Sequence, residues 1–227
     1  MMKVLIVIMM AGMWCMQPEK ASAADPVIRV LLTTTDFNSR YHQEITVSYD
    51  GKEITYTAEE VKKQGDKVRI PAQKDGIRIL SIQRQSGTPV YDGSIEIIPK
   101  EEGLIIVNEL FLEKYLTRVV PSEMPATYEK EALKAQAVAA HTYAERQHLL
   151  EQSHPTAELC GADFSNDSSQ YQACFTENQA RQYYGDNFET AYAKVTQAVD
   201  DVLPYVLEYD GAPIIAAFCS MSAGVTE

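Results

Sequence analysis

At 227 residues the chain is long enough for one large domain or two small ones, and 45% hydrophobic against 23% charged residues is the balance of a globular protein. Its formal charge of −12 repels phosphate backbones and anionic head groups, which argues against nucleic acid or an acidic lipid surface as partner. The expected substrate or partner is neutral or cationic, or binds a locally different patch; there is no low-complexity tract and no convincing internal repeat.

Residues 1–23 read as a secretion signal. Lys3 supplies the positive start, "VLIVIMMAGMWCM" (4–16) the apolar run, and "ASA" (21–23) the small-residue cleavage site. The run of 13 residues is short of the roughly 20 that cross a bilayer as a helix. A cleaved signal and an exported, extracytoplasmic protein are therefore expected, with an uncleaved anchor as the alternative. Trp14 is too bulky for a lipidation site at Cys15. Loss of these residues moves the formal charge from −12 to −13 and leaves Cys160, Cys174 and Cys219. Export favours a disulfide, and an odd count leaves one thiol over or points to a metal.

From residue 26 to about 110 the sequence predicts strands. "VIRVLLTT", "EITVSYD", "EITYTA", "KVRIPA", "IRILSIQ" and "GSIEIIP" alternate or cluster β-branched residues, with Asp-Gly turn signals at 50–51, 75–76 and 92–93. "GLIIVNELFLEKYLTRVV" then passes from strand to a short helix, with Leu110, Leu112, Tyr115 and Leu116 on one face. Pro121 and Pro125 bracket Ser122, Glu123 and Met124, a stretch expected to be a turn because proline disfavours continuation of the preceding helix. Thr127 is the expected N-cap of a helix running from Lys130 to about Leu150, with Glu129 and Glu131 near its start.

On that helix Leu133, Val138, Ala140 and Ala144 form a small apolar face. Gln136, Ala139 and Tyr143 follow at i, i+3, i+7, and His141 lies on a different face. Residues 152–187 read as polar and irregular. "NFETAYAKVTQAVDDVLP" returns to helix, "YVLEYDGAPIIAAFCS" reads as a hairpin turning at Gly-Ala-Pro, and "SMSAGVTE" brings no hydrophobic closure, as though the last elements were missing. The fold class is α+β: an N-terminal antiparallel β-rich region (24–103) and a mixed α/β region (104–227).

Glu123 is the candidate general acid. Pro121, Met124 and Pro125 can dry one side of its carboxyl group, and drying favours the protonated form that such an acid needs. Cleaving a sugar–oxygen bond requires this acid at the leaving oxygen. Hydrolysis also asks for a second carboxylate, whereas attack by a hydroxyl of the sugar itself asks for one group only. The sequence offers no obvious second carboxylate.

"YLTRVVPSEMPATYEKEALKAQAVAAHTYA" resembles the signature of the SpoIID/LytB family, and "AFCSMSAGVTE" is similar to its second motif, Ser-x-Ser-Gly-Gly-x-Thr-Glu. The resemblance spans 104–227. It implies a peptidoglycan lytic transglycosylase that cuts between N-acetylmuramic acid and N-acetylglucosamine on denuded strands, leaving a 1,6-anhydro end, in sporulation and engulfment. It assigns the catalytic role to Glu123 and substrate contacts to Ser122, Gln136, His141, Tyr143, Ser220, Ser222 and Thr226. His141 stands where the family usually has arginine, Cys219 where members often have histidine, and Ala223 where the first glycine of the pair is usual. Some members hold zinc in the loop corresponding to 154–174. Here His154, Cys160 and Cys174 are the candidate ligands, against a Cys160–Cys174 disulfide; no cofactor is required for the reaction itself. Glycan strands are the implied substrate. A cell-wall amidase and other engulfment proteins are the possible partners, and a non-catalytic amidase enhancer is the alternative function.

Overall fold

The computed structural model describes residues 26–218; the expected signal segment lies outside the described residues. Strands β1 (Val27–Leu32), β2 (Glu44–Tyr49) and β3 (Lys52–Thr57) are followed by helix α1 (Ala58–Gln64). Next come β4 (Val68–Ile70), β5 (Ile77–Ile79), β6 (Val90–Tyr91), β7 (Ser94–Pro99) and β8 (Leu104–Phe111). The helices α2 (Leu112–Glu123) and α3 (Lys130–Ser153) precede β9 (Phe164–Ser165), α4 (Glu177–Tyr184), α5 (Phe188–Val202) and a small hairpin, β10 (Glu208–Tyr209) with β11 (Ala212–Pro213). The fold is α+β, as the sequence predicts.

One sheet has the order β4-β7-β8-β1-β9 and a second the order β3-β2-β5-β6. All six predicted strands form. At Asp50-Gly51 both residues have positive φ, the turn that matches the twist of a two-residue hairpin and sets Tyr49 opposite Lys52. Strand β1 pairs along its whole length with β8, from Val27↔Phe111 to Leu32↔Ile106, and in parallel with β9. The larger sheet therefore draws strands from both sides of residue 103.

Alternation along β1 and β8 sorts their side chains onto two buried faces. Ile28, Val30, Leu32, Ile106 and Leu110 join the main core with α2, α3 and α5. Leu31, Ile105 and Val107 face the other way, beneath Leu159 and Ala162. Helix packing relies on small residues: Ala137, Ala140 and Ala144 of α3 and Ala191 and Ala198 of α5 are buried, which lets the backbones approach closely.

Five local expectations are corrected. The first part is not purely β, because Thr57 and Glu60 form a reciprocal capping box that starts α1. Residues 152–187 are not irregular throughout. They add β9 to the sheet edge and form α4, started by a second capping box between Thr176 and Gln179. Helix α2 continues through Pro121 to Glu123, with the Met124 N–H bonded to the Val120 carbonyl at 2.9 Å. A proline in the last turn forfeits one backbone hydrogen bond, and here the buried face of α2 outweighs that loss. Helix α3 starts at Lys130 after Glu129 rather than from a Thr127 cap. Residues 125–128 are already a turn, closed by Tyr128 N–H on Pro125 O and by Lys194 Nζ on the carbonyls of Ala126 and Tyr128. The terminal hairpin turns at Asp210-Gly211, both with positive φ, one step earlier than expected.

The outward face of the larger sheet carries an ion network. Glu96 of β7, 1% exposed, accepts from Arg29 of β1 (2.8 Å), Lys67 (2.8 Å) and Arg69 of β4 (3.0 Å), and Arg29 also holds Glu109 of β8. Burial alone would raise the Glu96 carboxyl, but the bonds from Lys67, Arg29 and Arg69 hold it at about 2, against an ordinary 4.5. The stabilisation is present above pH 4.5 and is lost as pH falls towards 2. Glu96→Gln should therefore lower stability at pH 7 by about 2 kcal/mol and flatten the decline in urea midpoint between pH 5 and pH 2, both read by circular dichroism.

Candidate functional site

Glu123 is the last residue of α2 and is partly buried. Its direction is set by a segment 50 residues downstream: the Ala173 N–H donates to Glu123 Oε1 at 3.1 Å. The neighbouring Ser122 Oγ lies 2.7 Å from the Ala173 carbonyl and 2.7 Å from that of Val119. Both backbone groups of Ala173 are thus taken by consecutive side chains of α2. Among the described residues Oε2 of Glu123 has no hydrogen-bond partner.

The rest of this strap is fastened to the same helix. Arg118, 6% exposed, donates through Nε to Asp92 Oδ2 at 3.1 Å and through Nη1 to the Phe175 carbonyl at 3.4 Å, and its own carbonyl accepts the Phe175 N–H at 3.1 Å. Tyr115 Oη donates to Gln172 Oε1 at 3.2 Å, and Gln172 Nε2 donates to the Ala140 carbonyl of α3 at 3.4 Å. Burial, reinforced by Cys174, Tyr143, Asp163 and Glu123, keeps the Tyr115 phenol far above its usual range, so it is a fixed neutral donor.

Largely buried aromatic rings form a wall behind the strap. Phe164 of β9 stacks on Tyr115 at 5.4 Å and on Tyr143 at 6.0 Å, and meets Tyr171 edge-on at 5.9 Å. Gln136 Nε2 is buried with no partner among the described residues. On its other side, the turn after Glu123 borders a cavity of about 640 Å³ walled by Pro125, Ala126, Tyr183, Tyr184 and Lys194.

Several expected residues stand elsewhere. His141 is 6% exposed and lines a separate cavity with Leu112 and Glu113 at the opposite end of α2. Eleven residues at 1.5 Å rise put that end roughly 16 Å from Glu123. Among the described residues His141 Nδ1 has no partner; Nε2 is 3.4 Å from Glu145 Oε2, and burial lowers its pKa below the ordinary 6.5, so it is neutral at pH 7. The structure thus sets His141 at the far end of α2, on a helix face turned away from the strap.

The 154–174 loop does not bring its candidate ligands together. Among the described residues no three His, Cys, Asp or Glu side chains gather as metal ligands, and Cys160 and Cys174 are free thiols. They pack on opposite faces of the larger sheet, Cys160 with the Leu31–Val107 cluster and Cys174 with the main core, so the sheet edge separates them. Burial pushes the Cys174 thiol up to about 11, which disfavours the thiolate a metal would need. His154 is exposed at the end of α3, its Nδ1 3.0 Å from Ser153 Oγ. Cys219, Ser220, Ser222 and Thr226 lie outside the described residues.

A family model described as "SpoIID: Stage II sporulation protein" matches residues 100–209, the stretch that contains α2, α3 and the strap. Through these residues the chain belongs to the SpoIID family. It is 38% identical over 121 residues to stage II sporulation protein D of Bacillus subtilis (strain 168) and 34% identical over 121 residues to that of Bacillus amyloliquefaciens, in each case 53% of this chain and 34% of the relative. An uncharacterized protein of Brachyspira hyodysenteriae (strain ATCC 49526 / WA1) is 30% identical over 221 residues, 91% of this chain and 55% of that protein. The chain therefore spans little more than half, at most, of these curated relatives.

In this SpoIID-family chain the sequence points to Glu123, Ser122, Gln136 and Tyr143, but it gives no sign of the contacts that Tyr115, Arg118, Gln172 and the Ala173 amide make around Glu123. Tyr115 reads as an ordinary core position, and no residue type announces a backbone N–H. Ser122 is a positioning residue, its hydroxyl occupied by two carbonyls. Ser122→Ala should lower stability by about 1 kcal/mol in urea titration and speed hydrogen exchange at Ala173 selectively.

Proposed function

We propose that the protein is an exported cell-wall enzyme of sporulation, a lytic transglycosylase that acts on denuded peptidoglycan strands with Glu123 as its single acid and base. The observation that carries this reading is the half-buried Glu123 carboxyl group, fixed through Oε1 by the Ala173 N–H with Oε2 left unoccupied. Membership of the SpoIID family and the names of the two Bacillus relatives support the cell-wall and sporulation setting.

In the reaction, Oε2 of protonated Glu123 donates to the glycosidic oxygen as the bond from that oxygen to the muramoyl anomeric carbon breaks. The muramoyl C6 hydroxyl attacks the same carbon, and its proton passes to the Glu123 carboxylate, which restores the acid. The products are a strand with a free hydroxyl and a strand closed as a 1,6-anhydro ring. No second carboxylate shares a hydrogen-bond partner with Glu123 among the described residues, which suits an internal nucleophile better than activated water. Gln136 and Tyr143 are the side chains this reading assigns to the sugar, and the neutral Tyr115–Gln172 pair keeps the strap in register.

Purified protein incubated with denuded strands should yield anhydro-muramoyl ends by mass spectrometry, and Glu123→Gln should reduce their rate of formation at least 10²-fold, the usual contribution of a general acid. Turnover that survives Glu123→Gln, or wild-type protein that yields no such ends while still stimulating a wall amidase, would assign the non-catalytic role instead.

A further inference from the structure

A second cavity, of about 420 Å³, opens where loop 33–41 faces residues 158–171. Its rim carries Phe37, whose φ is +61°, a left-handed conformation that bulky residues rarely adopt. The loop enforces it. The Phe37 N–H bonds to the Thr34 carbonyl at 3.0 Å, the Thr34 N–H to the Ser39 carbonyl at 2.8 Å, and Asp36 accepts from Thr34 Oγ1 and Asn38 Nδ2 at 2.7 Å each. The Arg84 guanidinium lies 4.0 Å from the centre of the Phe37 ring and is itself tied to the carbonyls of Thr33 and Thr34. The ring is thus preset, yet 46% exposed. A strained backbone that displays an apolar ring beside a polar cleft gains nothing for the core and is the kind of local strain found where ligands bind.

Across the cleft stand Gln170, exposed, and Tyr171. Tyr171 connects this cavity to the acid: its ring meets Phe164 of the aromatic wall, and two residues further on Ala173 holds Glu123. Two extended residues span about 7 Å, so the cleft begins within a few linked sugar rings of the carboxyl group. Arg40 is countered by Glu158 and Asp167, which leaves no net positive field for an anion. An aromatic face with amide and hydroxyl groups opposite suits a neutral amphipathic ring that carries hydroxyl and acetamido groups.

We infer that this cleft is a remote saccharide subsite, which grips the glycan strand beyond the bond cut at Glu123 and makes long strands bind better than short ones. The inference rests on the glycan reading above. It goes beyond it because loop 33–41 lies outside the segment that matches the family.

The test is calorimetric titration of the full chain, carrying Glu123→Gln to prevent turnover, with a denuded tetrasaccharide and a denuded dodecasaccharide. The longer ligand should bind about tenfold more tightly, and Phe37→Asn or Gln170→Ala should remove most of that advantage. Asn tolerates the left-handed backbone, so Phe37→Asn keeps the loop folded, as a melting curve will verify. Tyr209→Ala, in the distant hairpin, is the control for loss of any exposed ring and should leave the advantage intact. If the advantage persists in both cleft variants while the wild type forms anhydro ends, the remote subsite alone is overturned. If neither ligand binds and no anhydro ends form, the transglycosylase reading falls and takes the subsite with it.

Discussion

Arg118 is the residue on which the arrangement around Glu123 depends. It is a buried cation that satisfies itself with Asp92 from the β6–β7 turn and with the Phe175 carbonyl from the strap. Removing one partner from a buried charge leaves the other uncompensated, at a cost of several kcal/mol. The pair therefore fixes where residues 172–176 run, and that course brings the Ala173 amide to the carboxyl group. Asp92 precedes Gly93, whose φ of +77° and contact with the Glu109 carbonyl leave no room for a β-carbon. An added Cβ there would lie 2.1 Å from that oxygen. The turn in the β-rich part of the chain and the acid at the end of α2 are parts of one mechanical unit.

Around this unit the electrostatics keep most groups out of the titration range. The Tyr115 phenol and the Cys174 thiol are both driven upwards by burial, and the Tyr91 phenol is pushed up to about 12. Neutral donors hold their hydrogen bonds unchanged across the physiological range. Besides the buried Arg118 and its partner Asp92, the largest cluster of charges, Glu96 with its three cations, lies on the outer side of the sheet.

Much of the fold is legible in the sequence because strand alternation and turn chemistry are local. Asp50-Gly51 specifies its hairpin outright, and the six predicted strands all form. The misreadings have physical causes. Thr57-x-x-Glu60 and Thr176-x-x-Gln179 were capping signals inside stretches that otherwise looked extended or irregular. Pro121 looks like a stop, but tertiary burial of Tyr115, Leu116, Val119 and Val120 carries α2 past it. In the site, Glu123 is legible from its proline-flanked setting and from the family resemblance. His141 has the same kind of motif support, yet it faces the far end of α2, because a shift of two residues from Ala139 turns a side chain to another side of a helix. The partner of Glu123 is a backbone amide, and composition carries no trace of it.

That amide is separated from Glu123 by 50 positions in the chain. A contact of such sequence separation forms only after the intervening loop has closed. While the polypeptide is still emerging or partly folded, α2 can exist with its terminal carboxyl group unaligned. The alignment of this carboxyl group is thus assembled late, as a product of completed tertiary structure.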